Sequence, residues 1–282
     1  MCNSSVQPIL ALLGLPVAGN PAQYMVEKAL EHHGLDWRYL SLEIAPENLA
    51  DAVRGMRAMG FRGGNCSGPH KQAVAPLLDR LTQAAELTGV VNCIWREEDR
   101  LVGENTEGQG FLESLRRRTD PAGKRVVLLG AGRMARAVAV ELALAKAARI
   151  TVVARTEQPG RELADLVSGK LGAAASSALW EGTYAVPADT QLLVDATSPG
   201  DRSPGAALPL DLEQLSAEAI VAEAGFDPPR TRLLQEVSAR GCPTIDGLET
   251  FIDQTAINFR LWTAIEPDRT VLREAVEEFL EL

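Results

Sequence analysis

Gly130-Ala131-Gly132-Arg133-Met134-Ala135 forms the pattern G-x-G-x-x-A, whose chemistry is the binding of a pyrophosphate. Context gives the pattern its meaning. It follows the apolar, β-branched run Arg125–Leu129 and opens a stretch of helical spacing from Arg133 to about Lys146. A second apolar run, Ile150–Ala154, ends about 20 residues further on. Gly130 permits the tight turn. Gly132 lets a phosphate approach the backbone, where the helix N-terminal N–H groups and dipole favour negative charge, and Ala135 keeps the helix close to the sheet. The second strand ends in Ala154-Arg155-Thr156. A carboxylate there would accept hydrogen bonds from a ribose 2′-hydroxyl. A guanidinium and a hydroxyl suit a 2′-phosphate instead, so the expected cofactor is NADP, with the nearby Glu157 arguing the other way.

A second group of specialised residues lies upstream: Gly63-Gly64-Asn65-Cys66-Ser67-Gly68-Pro69-His70-Lys71, then Asn92, then Gly103-Glu104-Asn105-Thr106-Glu107-Gly108. Amides, a lysine and a carboxylate at strand ends of an α/β domain are the groups that hold a polyhydroxylated substrate. A single lysine or glutamate is ordinarily a solvated surface residue. These gain weight from sharing a chain with a nucleotide-binding turn.

The elements that must position these groups follow from periodicity. Strands are expected at Ile9–Leu13, Trp37–Leu42, Phe61–Asn65 and Val90–Trp95, and helices at Ala22–His33, Pro46–Met59 and His70–Glu86. This alternation predicts a mostly parallel sheet covered by helices. The charged stretch Arg117–Lys124 leads into a new α/β unit with further strands at Leu192–Asp195 and Ala219–Glu223, and the last helices run over Leu248–Trp262 and Thr270–Leu282. The 282 residues suit two domains of roughly 100–200 residues each. At 46% hydrophobic and 23% charged residues the chain can bury a sizeable core, which excludes disorder as its main state. The net charge of −10 argues against nucleic acid or an anionic membrane as partner. Cys2, Cys66, Cys93 and Cys242 are widely spaced, and the adjacent His32 and His33 would point about 100° apart on a helix. No disulfide framework and no metal site are expected. The apolar run Ile9–Gly19 is broken by Gly14 and Pro16 and has no Lys or Arg before it, so neither a signal peptide nor a membrane span is expected, and the location expected is cytoplasmic.

Taken together these segments resemble the shikimate dehydrogenase family. That family carries G-x-N-V-T-x-P-x-K, G-A-V-N, G-x-N-T-D-G, a glycine turn, an N-R-T strand end and D-G-x-x-M-L-x-x-Q. In the same order this chain has Asn65 through Lys71, Gly89-Val90-Val91-Asn92, Asn105-Thr106-Glu107-Gly108, Gly130 through Ala135, Arg155-Thr156, and Asp246-Gly247-Leu248 through Gln254. The resemblance implies two α/β domains. One is a substrate domain over residues 1–108 completed by helices in 247–282. The other is a Rossmann-like, doubly wound NADP-binding domain over 109–246. It implies an enzyme of the shikimate pathway that interconverts shikimate and 3-dehydroshikimate, acting on a small cyclic hydroxy acid as a monomer or homodimer. Lys71 and Glu107 match the catalytic pair; Asn92, Asn105 and Gln254 match substrate positions, and Ser67 keeps the hydroxyl of the family's threonine. Gly130, Ala131, Gly132, Arg133, Met134, Ala135, Arg155, Thr156, Thr197 and Gly247 fall to the cofactor. Oxidising a secondary alcohol requires loss of a hydroxyl proton, which a lysine beside a carboxylate can accept or relay.

The departures from the family gather at the substrate. Its S-x-S-P motif, whose two serines hold the substrate carboxylate, is replaced by Gly14-Leu15-Pro16-Val17-Ala18-Gly19-Asn20-Pro21, about two residues shorter, with Asn20, Gln23 or Tyr24 as replacement donors. The catalytic aspartate is Glu107. The tyrosine of the Y-x-P-x-x-T stretch is Phe226, within Phe226-Asp227-Pro228-Pro229-Arg230-Thr231, and Glu249-Thr250 replaces Gly-Met. Two alternatives therefore stand beside shikimate: quinate or another cyclic polyol acid, and a weakly catalytic NADP-binding regulatory protein.

Overall fold

The computed structural model describes residues 6–197, 207–226 and 231–282. The chain separates into two compact units, one running to Thr106 and resuming at Ile252–Leu282, the other spanning Glu107–Phe251.

The first unit is a six-stranded sheet. Its elements are β1 (Ile9–Gly14), α1 (Ala22–His32), β2 (Arg38–Glu43), α2 (Leu49–Ala58), β3 (Gly63–Cys66), α3 (His70–Ala73), β4 (Arg80–Leu81), α4 (Gln83–Thr88), β5 (Cys93–Glu97) and β6 (Arg100–Glu104). Helix α5 (Thr106–Arg116) follows. The strand order is β2-β1-β3-β5-β6-β4. β1 pairs in parallel with β2 and β3, and β4 with β6, but β5 runs antiparallel to both β3 and β6. Five of the six strands therefore run the same way, in keeping with the mostly parallel sheet that the alternation predicts, and β5 is the reversed one. The cause is a hairpin at Glu98-Asp99, with Glu98 in the left-handed region (φ 54°) and Glu97 paired to Arg100.

The expected helix over His70–Glu86 is broken into α3, a turn at Ala75–Leu77, β4 and α4. Pro76 has no N–H to donate and its ring clashes with the preceding turn of a helix. Asp79 then draws the chain to the sheet edge, accepting the Leu101 N–H at 2.7 Å and pairing with Arg57 at 2.7 Å. The Arg57 guanidinium holds the Asp79 carboxyl below its usual range. Thr82 restarts the helix, its Oγ1 accepting from the Ala85 N–H.

The second unit contains β7 (Arg125–Leu129), α6 (Arg133–Leu144), β8 (Arg149–Ala154), α7 (Glu157–Leu171), β9 (Ala175–Leu179), β10 (Tyr184–Ala185), β11 (Leu192–Asp195), β12 (Leu210–Asp211), β13 (Ile220–Glu223), α8 (Arg232–Ala239) and β14 (Thr244–Ile245). Its main sheet has the order β14-β13-β11-β7-β8-β9, parallel throughout. Numbered within the unit this is the doubly wound order 3-2-1-4-5-6, with the switch point between β7 and β11. Val126–Leu129 and Leu192–Val194 are buried, as expected of central parallel strands covered on both faces. Helix α9 (Gly247–Thr263) passes from the second unit into the first, where α10 (Arg269–Phe279) packs on α1.

Candidate active site

In the first unit, the site residues sit at the ends of β1, β3, β5 and β6. Asn65 ends in a buried chain of polar contacts that sequence reading did not single out. The Tyr39 hydroxyl donates to Asn65 Oδ1 at 2.7 Å, and Asn65 Nδ2 donates to the Asn92 carbonyl at 2.9 Å. Asn92 Oδ1 accepts the Thr106 N–H at 2.7 Å, and its Nδ2 lies 2.9 Å from Thr106 Oγ1. Thr106 Oγ1 donates to Asn258 Oδ1 at 2.6 Å. All five side chains are buried. Burial also pushes the Tyr39 phenol well above its usual range, which keeps it a donor. Tyr39→Phe strands Asn65 Oδ1 without its donor. The expected result is a loss of about 1–3 kcal/mol of stability by urea unfolding. A midpoint unchanged from wild type would mean the bond contributes nothing.

Asn105 is held from two sides. The buried Glu104 carboxylate accepts its backbone N–H at 2.8 Å and the Thr82 hydroxyl at 2.5 Å. Asn105 Nδ2 donates to Thr88 Oγ1 at 3.3 Å, whose own proton goes to the Ala84 carbonyl. Lys71, half-buried, opens α3 beside His70, whose Nε2 bonds the Ile44 carbonyl at 2.8 Å. The Lys71 carbonyl accepts the Val91 N–H at 2.7 Å, tying α3 to the segment that carries Asn92. Glu107 is buried in the first turn of α5 and belongs to the second unit. Gln254 lies on α9, one turn before Asn258.

The replaced serine motif has a definite geometry. Asn20 Oδ1 accepts the Ala22 N–H at 2.9 Å, just before α1, whose N-cap residue is Pro21. Ser67 is fixed by its N–H to the Leu13 carbonyl at 2.9 Å, and its buried hydroxyl has no partner among the described residues. That hydroxyl occupies the space a side chain at Gly14 would need. The neighbouring Cys66 thiol is inert near neutrality. Burial raises it to about 12, against the pull of Lys71.

The second unit carries the nucleotide elements. Gly130 takes φ 103°, and a Cβ there would lie 2.9 Å from the Ala196 carbonyl oxygen; around Gly132 the corresponding space is open. Gly132 N-caps α6 in extended conformation, and Ala131, Arg133 and Met134 line the turn, with Ala135 buried against the sheet. Thr197, at the end of β11 beside the turn, gives its hydroxyl proton to Asp195 at 2.6 Å. Arg155 and Thr156 are exposed at the end of β8. Glu157, the residue that argued for NAD, is ion-paired with Arg161. A tight turn, an open helix N-terminus and a cation at the second strand end are the set that a dinucleotide with a 2′-phosphate needs, so the chain's residues fit NADP. Gly247 serves a packing need as well, because a Cβ would overlap the Gly225 carbonyl. Phe226 stacks on Phe251 with ring centroids 4.4 Å apart, Glu249 pairs with Arg118 at 3.2 Å, and Thr250 is buried. Asp227–Arg230 of the Phe226–Thr231 stretch lie outside the described residues, as does Cys2. Among the described residues no group of three or more His, Cys, Asp or Glu could hold a metal ion, and no helix is long and apolar enough to cross a membrane.

Comparison with known proteins gives two family matches. Residues 12–94 match the shikimate dehydrogenase substrate binding domain and residues 113–181 match shikimate/quinate 5-dehydrogenase. The shikimate dehydrogenase (NADP(+)) of Geobacter metallireducens is 38% identical, covering 95% of each chain. Among solved structures, ligand-free 5-ketofructose reductase of Gluconobacter sp. strain CHM43 superposes with a TM-score of 0.94 at 42% identity, covering 98% of this chain and 99% of that one. The shikimate 5-dehydrogenase of Thermus thermophilus in complex with NADP(H) and shikimate gives a TM-score of 0.80 at 32% identity, covering 97% of this chain and all of that one (100%).

Proposed function

This chain belongs to the shikimate dehydrogenase family, and on that premise we propose that it is an NADP-dependent oxidoreductase interconverting shikimate and 3-dehydroshikimate. The observation that carries the reading is the buried amide framework of the first unit, which holds Asn92 and Asn105 in fixed orientation on the chain that carries Lys71. NADP, when bound, supplies the hydride acceptor. Lys71 takes the hydroxyl proton as the alcohol becomes a ketone and returns it in the opposite direction, with Glu107 assisting that transfer. Asn92, Asn105, Ser67, Asn20 and Gln254 hold the substrate's polar groups. The glycine turn over Gly130–Ala135, with Thr197 and Gly247, receives the cofactor, and Arg155 and Thr156 its 2′-phosphate. On this reading the enzyme is cytoplasmic and works as a monomer or homodimer on a small cyclic hydroxy acid.

A second reading is favoured by the turn after β1. Where the family has two serine hydroxyls for a carboxylate, this chain has Gly14 against Ser67 and a carboxamide, Asn20, whose oxygen accepts the Ala22 N–H and leaves Nδ2 as its donor. A site with fewer hydroxyl donors for a carboxylate suits a polyhydroxy ketone without one, and the relative at 42% identity is named for 5-ketofructose. Both readings use the same cofactor and the same proton-handling pair. The test follows NADP(H) absorbance with shikimate and, separately, with 5-ketofructose. Turnover of shikimate with kcat/KM above that for 5-ketofructose is the expected result. The reverse order transfers the enzyme to the sugar ketone, and turnover of neither removes both.

A further inference from the structure

Asn258 lies 152 residues from Thr106 in sequence, yet its Oδ1 is the nearest acceptor to the Thr106 hydroxyl, at 2.6 Å. That hydroxyl has one proton and two candidate acceptors, Asn258 Oδ1 and, at 3.3 Å, Asn92 Oδ1. The shorter bond takes the proton. Thr106 Oγ1 is then an acceptor toward Asn92 and can receive only from Nδ2, at 2.9 Å. The Thr106 backbone N–H, which can only donate, independently requires Asn92 Oδ1 on its side, at 2.7 Å. The two constraints agree, and together they leave one Asn92 N–H uncommitted.

We infer that Asn258 is a positioning residue for substrate recognition: by capturing the Thr106 proton it keeps Thr106 Oγ1 an acceptor for Asn92 Nδ2, the second anchor that, with the Thr106 N–H on Oδ1, holds the carboxamide with its free N–H offered to a substrate oxygen. The inference rests on the assignment of Asn92 to the substrate under the proposed function. It names a further determinant on α9, at i+4 from Gln254, so one face of that helix contributes a direct contact and a supporting one.

The chemistry separates positioning from bulk stability. In Asn258→Ala the Thr106 proton is released to turn toward Asn92 Oδ1, and the carboxamide loses its second anchor. An interaction made equally in ground and transition state affects KM and spares kcat. The expected result is a KM about tenfold higher, the size of one hydrogen bond, with kcat within about threefold of wild type. Thr106→Val, which removes the hydroxyl, should raise KM likewise, and Thr106→Ser, which keeps it, should restore wild-type KM; this pair decides the question if Asn258→Ala does not fold. A second readout needs no turnover. In ¹⁵N-labelled protein the Asn92 side-chain amide, assigned by its loss in Asn92→Asp, should be protected from hydrogen exchange in wild type and exchange faster in Asn258→Ala.

Raised KM with faster Asn92 exchange supports the inference. Unchanged KM and unchanged exchange overturn it, as does a fall in kcat at constant KM. If wild-type protein turns over neither shikimate nor 5-ketofructose, the catalytic reading falls by itself. Exchange then decides the lock alone: acceleration in Asn258→Ala upholds it and no change overturns it.

Discussion

In Lys71→Ala, kcat for shikimate oxidation is expected to fall about 10³-fold, with the NADP dissociation constant within about twofold of wild type. The magnitude is that of a general acid–base group lost from the reacting centre. The local backbone is held by the Lys71 carbonyl to the Val91 N–H and by His70 to the Ile44 carbonyl, neither of which uses the lysine ammonium. The adjacent Cys66 cannot substitute, since burial keeps its thiol protonated up to about 12. NADP affinity should be spared because the glycine turn and Arg155 belong to the other compact unit. Stopped-flow or steady-state turnover, with cofactor titration by fluorescence, checks both halves. A kcat within tenfold of wild type would remove Lys71 from the proton transfer. A parallel loss of NADP binding would mean that the substitution had damaged the fold.

The cofactor half of the molecule was far more legible in sequence than the substrate half, and the reason is range. The strand over Arg125–Leu129, the turn at Gly130 and the helix from Arg133 are consecutive, and each residue's role follows from its immediate neighbours. Leu192–Asp195 was readable as a strand for the same reason: three consecutive apolar residues, Leu192, Leu193 and Val194, buried on both faces, leave a local signal. The β5–β6 hairpin was not, because its turn residues Glu97–Arg100 read as surface and the return strand, Arg100–Glu104, has only Leu101 and Val102 as an apolar signal. Nor was the interruption of His70–Glu86, where Asp79 is recruited by Leu101 and Arg57, both remote in sequence. The amide framework is the clearest case. Asn92, Asn105 and Gln254 stood out through motifs, but Tyr39 and Asn258 look like ordinary members of a strand and a helix. Their meaning lies in partners 26 and 152 residues away. Composition cannot distinguish a buried, satisfied amide from a solvated one; only the pairing does.

The remaining large effect concerns the cofactor. In Arg155→Asp the NADP dissociation constant should rise about 100-fold, while that for NAD stays level or falls. Charge-assisted bonds to a 2′-phosphate contribute about 1.5–3 kcal/mol, and the new carboxylate replaces that attraction with repulsion. Toward NAD the same carboxylate can accept from the free ribose 2′-hydroxyl, so its effect has the opposite sign. The native sequence already has an acid two residues on, and that acid has a partner of its own. Glu157 is the first residue of α7 and its carboxylate is held by Arg161 one turn later. Arg155 stands before that helix, exposed at the end of β8, at the position that faces the ribose in a doubly wound sheet. Titration of wild type and variant with each dinucleotide measures the difference. Equal losses for NADP and NAD would place Arg155 on the shared pyrophosphate or in the structure of the strand end, and the preference for NADP would then need another source. Divergent effects would assign the 2′-phosphate to this side chain. They would also separate it from Lys71, whose loss acts on turnover whichever dinucleotide is bound.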